Sequence, residues 1–145
     1  MFYINWIDLT GLSWISLIII FLLVFDLAAG VIANFTSGTN LYYSSRPKLR
    51  KVFIALHVQP LIISWLTGLY WIECLVVWLY TVIASFTINA LPESSAQLPL
   101  AAAALAVGIA VLLLFTSLPS YFVLILALYM IKLILSFPIN HYFLK

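Results

Sequence analysis

Residues 10–34 read TGLSWISLIIIFLLVFDLAAGVIAN, an apolar run whose only charge is Asp26. A helix rising about 1.5 Å per residue needs about 20 mostly apolar residues to cross a hydrocarbon core of roughly 30 Å. The run meets that length and predicts a transmembrane helix. The rest of the chain has the same character: 66% of its 145 residues are hydrophobic and 7% are charged, against roughly a quarter charged in an ordinary soluble domain. Four acids and six bases cannot cover a water-facing surface. The expected solvent is lipid, and the expected fold class is all-α, a polytopic transmembrane helical bundle forming a single domain.

Counting with the same ruler predicts five spans, at about 10–34, 48–67, 71–89, 98–115 and 120–137. The apolar stretch from Val52 to Ala90 is too long for one helix, and Gly68 with Glu73 marks its break. Leu91-Pro92-Glu93-Ser94-Ser95 ends the third span. Pro99 suits an early helical position in the fourth, and Pro138 stops the fifth. The segment Thr116 to Ser120 separates the last two spans; read instead as a kink or a re-entrant turn, it leaves four.

Arg46, Lys48, Arg50 and Lys51 gather in one loop. Because basic residues stay on the cytoplasmic side, the N-terminus is expected outside and the C-terminus, with Lys145, inside. Asp8 or Thr10 is expected to cap the first span. No basic segment or small-residue cleavage site marks a removable signal near Met1, and Phe2, Tyr3 and Trp6 suit the headgroup zone. A bacterial cytoplasmic membrane is the expected location, with an organelle membrane as the alternative.

The net charge of +2 predicts no nucleic-acid partner. The basic loop is read chiefly as a topology signal and secondarily as a site for anionic lipid at Arg46, Lys48, Arg50 and Lys51. One cysteine, Cys74, excludes a disulfide within the chain, and two histidines, His57 and His141, make a poor haem pair. No cofactor, metal site or catalytic motif is expected. Small residues recur at Ala102, Ala106 and Ala110, with Ala104 and Gly108 beside them, so the fourth span allows close helix approach. That face is also a candidate surface for a homo-oligomer or a larger membrane complex.

Three ionisable residues fall inside spans: Asp26, His57 and Lys132. A charge at mid-membrane carries an insertion penalty of about 2.5 to 3.5 kcal/mol, so each should face protein and find a partner. Counted from the cytoplasmic ends, all three lie at a depth of roughly 9 to 13 Å. On the first span Asp26, Ala29, Gly30, Ala33 and Asn34 share one face. The second span aligns Arg50, His57, Pro60, Ser64 and Gly68, with Gln59 pointing elsewhere. Thr81, Ser85 and Asn89 share a face of the third span, and Tyr129, Lys132, Ser136 and Asn140 share one of the fifth. Pro60 is expected to free the carbonyl of Leu56.

The candidate ligand- or proton-binding set is therefore Asp26, His57, Lys132, Asn34, Ser64 and Tyr129. The leading expectation is a small membrane protein that binds or translocates a proton, ion or small polar ligand from the cytoplasmic side. A structural or accessory subunit, in which the same charges only fix helix register, is the alternative. A membrane enzyme acting on a lipid or isoprenoid, with His57 and Asp26 as acid and base, is the third reading.

Overall fold

In a computed structural model, residues 11–92 and 94–142 are described; the expected caps at Asp8 and Thr10, the aromatic N-terminus, Glu93 and Lys145 lie outside them. The described residues form helices and no strand. These are α1 (Trp14–Asn34), α2 (Ser37–Ser44), α3 (Pro47–Leu56), α4 (Gln59–Thr67), α5 (Trp71–Ala90), α6 (Gln97–Leu113) and α7 (Ser120–Met130), the last continued by a π-helical segment, Ile131–Ser136. Three stretches are long and apolar enough to cross a membrane: Trp14–Asn34, Pro47–Thr67 and Trp71–Ala90. Gln97–Leu113 and Ser120–Ser136 are apolar but shorter.

Within described residues α1 opens on Ser13, whose hydroxyl accepts from the Ser16 N–H at 3.1 Å. The stretch expected as one second span is instead two helices, because the backbone leaves the helix at His57 and Val58 and restarts at Gln59. Pro60 thus occupies the first turn of α4, where a missing N–H removes no intrahelical bond. The carbonyl of Leu56, expected to be free, accepts from the Val58 N–H at 3.0 Å. Gly68, in the left-handed region at φ 70°, ends α4, and Ser64 closes the turn by donating to the Leu69 carbonyl at 2.6 Å.

The end of α7 and its π continuation sit at the centre. Tyr129, Met130, Lys132, Leu133, Ile134, Ser136 and Phe137 are all buried, packed against α1, α5 and α6. A π-helix and the helix end beyond it leave carbonyls unmatched by the ordinary ladder, and in an apolar interior each needs a donor. Neighbouring helices supply them: Ser85 donates to Leu133 O at 2.6 Å, Arg50 to Phe137 O at 3.0 Å, and Asn40 to Ile139 O at 2.8 Å. Thr81 and Ser85, the polar face read on the third span, are both fully buried.

On α6 the inward face is Ala101, Gly108 and Leu112, while Ala102, Ala106 and Ala110 stay exposed. A Cβ on Gly108 would overlap the ring of Tyr80, whose hydroxyl donates to Ala104 O at 2.6 Å. Small size at 108 therefore serves packing inside the chain.

Candidate functional site

Lys132 and Asp26 form an ion pair with Nζ to Oδ2 at 2.7 Å, and Nζ also donates to the Asp26 carbonyl at 3.2 Å. The partners are unequally covered: the lysine side chain is 2% exposed and the aspartate 55%. The small face of α1 makes the approach possible, since a Cβ on Gly30 would overlap Cε and Nζ of Lys132. One helical turn further, Asn34 Nδ2 donates to Ser136 Oγ at 3.4 Å, and Ser136 Oγ donates to Lys132 O at 2.8 Å.

A third residue completes the site. Gln59 Nε2 donates to Asp26 Oδ2 at 3.1 Å, and its buried Oε1 has no hydrogen-bond partner among the described residues. Turning the amide over would set Oε1 against the carboxylate, so the orientation follows from the charge of Asp26. The helical arithmetic sent Gln59 elsewhere because it assumed an unbroken second span. The restart at Gln59 resets the helical phase and brings this side chain onto α1.

His57 does not hydrogen-bond to the pair. Its Nδ1 donates to Phe53 O at 2.6 Å, a carbonyl being able only to accept, and its ring packs on Phe53 at 3.9 Å between centroids. Lys132 Nζ lies 5.9 Å from the centroid of the same Phe53 ring. Tyr129 donates to His57 O at 2.8 Å. His57 and Tyr129 thus satisfy the carbonyls that the break between α3 and α4 releases, the first with its ring and the second with its hydroxyl. Ser64, held on Leu69 O, makes no hydrogen bond to Asp26, Gln59 or Lys132.

The sequence-derived set therefore divides in three. Asp26, Lys132 and Asn34 meet along α1 and the end of α7, His57 and Tyr129 serve the helix break, and Ser64 serves a turn. Gln59 joins the first group. Towards the end of the bundle that carries the bases, Phe53 stacks on Phe137 and Tyr43 meets both at steeper angles, with centroids 4.0 to 5.3 Å apart. Among the described residues no three His, Cys, Asp or Glu side chains gather into a metal-binding group.

Beyond Pro138 the chain is clamped to α2. Asn40 accepts from the His141 N–H at 3.1 Å while donating to Ile139 O. His141 Nε2 donates to Ser136 O at 3.1 Å, and its ring lies 4.7 Å from that of Phe35. Burial, the largest influence, holds its pKa below the ordinary 6.5, so the neutral ring is favoured.

Comparison of the chain with family models, curated proteins and solved structures finds no match.

Proposed function

We propose that this chain is a multi-pass membrane protein with five spans, its N-terminus outside and its C-terminus inside, in a bacterial cytoplasmic membrane. In this reading the Asp26–Lys132 pair, with Gln59, binds or translocates a proton or a small polar ligand that carries hydrogen-bond donors. Contacts at the two ends support the span count. At one end Ser117, in the turn before α7, donates to Glu73 at the start of α5 at 2.8 Å. At the other, Arg50 reaches Phe137 O and Asn34 reaches Ser136, as five alternating spans require. Taken as spans, α6 and α7 with its π segment are about 25 Å long, which slight thinning of the bilayer accommodates.

One observation carries the functional reading: Oδ2 of Asp26 holds both Lys132 and Gln59 while more than half of the side chain stays open. A pair that served only to fix helix register would be better sealed. A proton arriving at the open side removes the charge that holds a buried ammonium. Protonation of Asp26 is thereby coupled to the position of Lys132 and of the helix that carries it. The Oε1 of Gln59 is closed off from solvent in this structure and becomes an acceptor beside the carboxylate only when the Gln59 side chain moves.

The test is proton flux in liposomes under an imposed pH gradient, read with an entrapped pH-sensitive dye. Asp26→Asn combined with Lys132→Met removes both charges and so avoids stranding either. This folded double variant is expected to lose the flux. Full retention of flux would sink the mechanism. In the unaltered protein a lipophilic carbodiimide should modify Asp26, located by mass spectrometry, and failure to label at any pH would contradict an open, protonatable carboxyl.

A structural or accessory role has its own support. Trp14, Ile18, Phe21 and Phe25 are exposed on the same helix as Asp26, and Ala102, Ala106 and Ala110 line an exposed stripe of α6. In this second reading a partner helix, from another copy or from a larger complex, covers the carboxylate. Native mass spectrometry in mild detergent decides: a lone monomer that carries flux contradicts it.

A further inference from the structure

A crevice of about 730 Å³ opens between the start of α3, the end of α5 and the start of α6. Its walls include Arg50, Lys51 and Asn89, with Phe86 and Leu91 as apolar surface. It shares no residue with the Asp26 site, and it lies at the bundle end that gathers the chain's bases.

Charge decides what such a crevice selects. Residues 46–51 hold four bases, and the loop between α5 and α6 holds a single acid, Glu93. Matching that acid to one base still leaves an excess of three positive charges. Arg46 is turned back onto α2, its guanidinium 4.0 Å from the centroid of the Tyr42 ring and bonded to Tyr42 O. Arg50 is buried and anchored on Phe137 O, so its charge is fixed in the wall. Lys51 is exposed and adds a movable ammonium. Pro47, the first residue of α3, lies in the same wall. Pro47 has no N–H to offer, so α3 contributes only the positive end of its dipole there.

The remaining surface suits an amphiphile. The Asn89 side chain makes no hydrogen bond to the described residues, and its amide carries two donors. Gln97, whose Nε2 holds Ile88 O at 3.1 Å, keeps the end of α5 against the start of α6. Phe86 and Leu91 give an apolar surface next to the charged one, at helix ends where a headgroup would meet acyl chains.

We propose that this crevice binds a phosphate-bearing anion, supplied by the headgroup of an anionic phospholipid whose first acyl carbons lie along Phe86 and Leu91. Lys51 and Arg50 meet the phosphate charge, and Asn89 bonds a phosphate or glycerol oxygen. The proposal depends on a membrane location and not on the Asp26 site, so retention of proton flux in the Asp26→Asn, Lys132→Met variant would sink the proton reading and leave this one standing.

The full-length protein in neutral detergent is titrated with phosphatidylglycerol, phosphatidylcholine or inorganic phosphate, following the thermal unfolding midpoint and lipid adducts in native mass spectra. Phosphatidylglycerol is expected to raise the midpoint and remain bound. Lys51→Ala should weaken that binding about tenfold and Asn89→Leu about fivefold. Lys48→Ala, on the same helix but outside the crevice, should change it by less than about twofold. An equal shift with phosphatidylcholine, or an equal loss in Lys48→Ala, would overturn the proposal. The whole shift reproduced by inorganic phosphate would assign the crevice to a soluble anion and overturn the lipid source.

Discussion

Helix α1 and helix α7 with its π continuation are alike as sequences, each an apolar run carrying one charged residue, yet they occupy opposite positions. Of the 21 residues of α1 only Leu27 and Asn34 are buried. In α7 and its π continuation Phe122, Leu126, Tyr129, Met130, Lys132, Leu133, Ile134 and Ser136 are. In water an apolar helix is driven into the core. In a bilayer, the location proposed above, a leucine gains little from facing protein rather than acyl chains, and packing and polar contacts then decide which helix lies at the centre. The carbonyls freed along the end of α7 need donors from several neighbours, and only a central position brings Ser85, Arg50 and Asn40 within reach. The ion pair inherits this asymmetry, with its lysine sealed and its aspartate half open.

The sharpest way to break the comparison is to remove each charge in turn. Asp26→Asn strands a buried ammonium and is expected to lower stability by about 3–5 kcal/mol. Lys132→Met leaves a carboxylate that already has an open side, and the loss should be smaller, about 1–2 kcal/mol. The double variant should recover most of the Asp26→Asn loss, measured by denaturant unfolding in detergent. Equal losses from the two single substitutions would remove the asymmetry.

The fit between the two helices is tested next. Gly30→Val would drive a side chain into Lys132 and should destabilise by about 1–3 kcal/mol. Gly38→Ala in α2, where nothing lies within 4 Å of an added Cβ, should stay within about 0.5 kcal/mol of the parent. A similar midpoint for both variants would mean that α1 and α7 are not in close contact.

Tyr129→Phe removes the donor to the His57 carbonyl. Its expected effect is about 1–2 kcal/mol, together with faster amide exchange around residues 57 to 61. Unchanged exchange there would show that the helix break does not depend on α7.

The smallest effect concerns the tail. The pKa of His141 lies below its ordinary 6.5, so between those two values the unfolded chain binds more protons than the folded one. The stabilisation is complete above about pH 6.5 and declines as pH falls from there towards the lowered value. Limited proteolysis of the segment after Pro138 should therefore accelerate between about pH 7.5 and 5.5. In His141→Gln the rate should stay flat, and a parallel acceleration in that variant would remove His141 as the cause.

Much of the ion-pair site was legible in the residues. Asp26 and Lys132 stand out because charges are rare and expensive in an apolar run, and the spacing Asp26, Gly30, Asn34 placed all three on the face that meets α7. Gln59 was not legible. Its direction depended on whether the helix continued through His57, and Pro60 is compatible with either a kink or a fresh first turn. For the same reason His57 and Tyr129 read as site residues although both satisfy the helix break, since a buried donor looks the same in sequence whichever acceptor it meets.

By itself the sequence determined that the protein is built from apolar helices with almost no charge, that Asp26 and Lys132 must find partners, and that the bases cluster at one end. These follow from composition and from the transfer cost of charge, neither of which depends on how the helices pack. Only the tertiary structure decided that α7 is central and α1 peripheral, that the second apolar run is two helices, and that Gln59 joins the pair. Lipid and protein interior are equally apolar, so hydropathy cannot distinguish them. Those choices rest on which carbonyls lack a donor and on which small residue lets a lysine through.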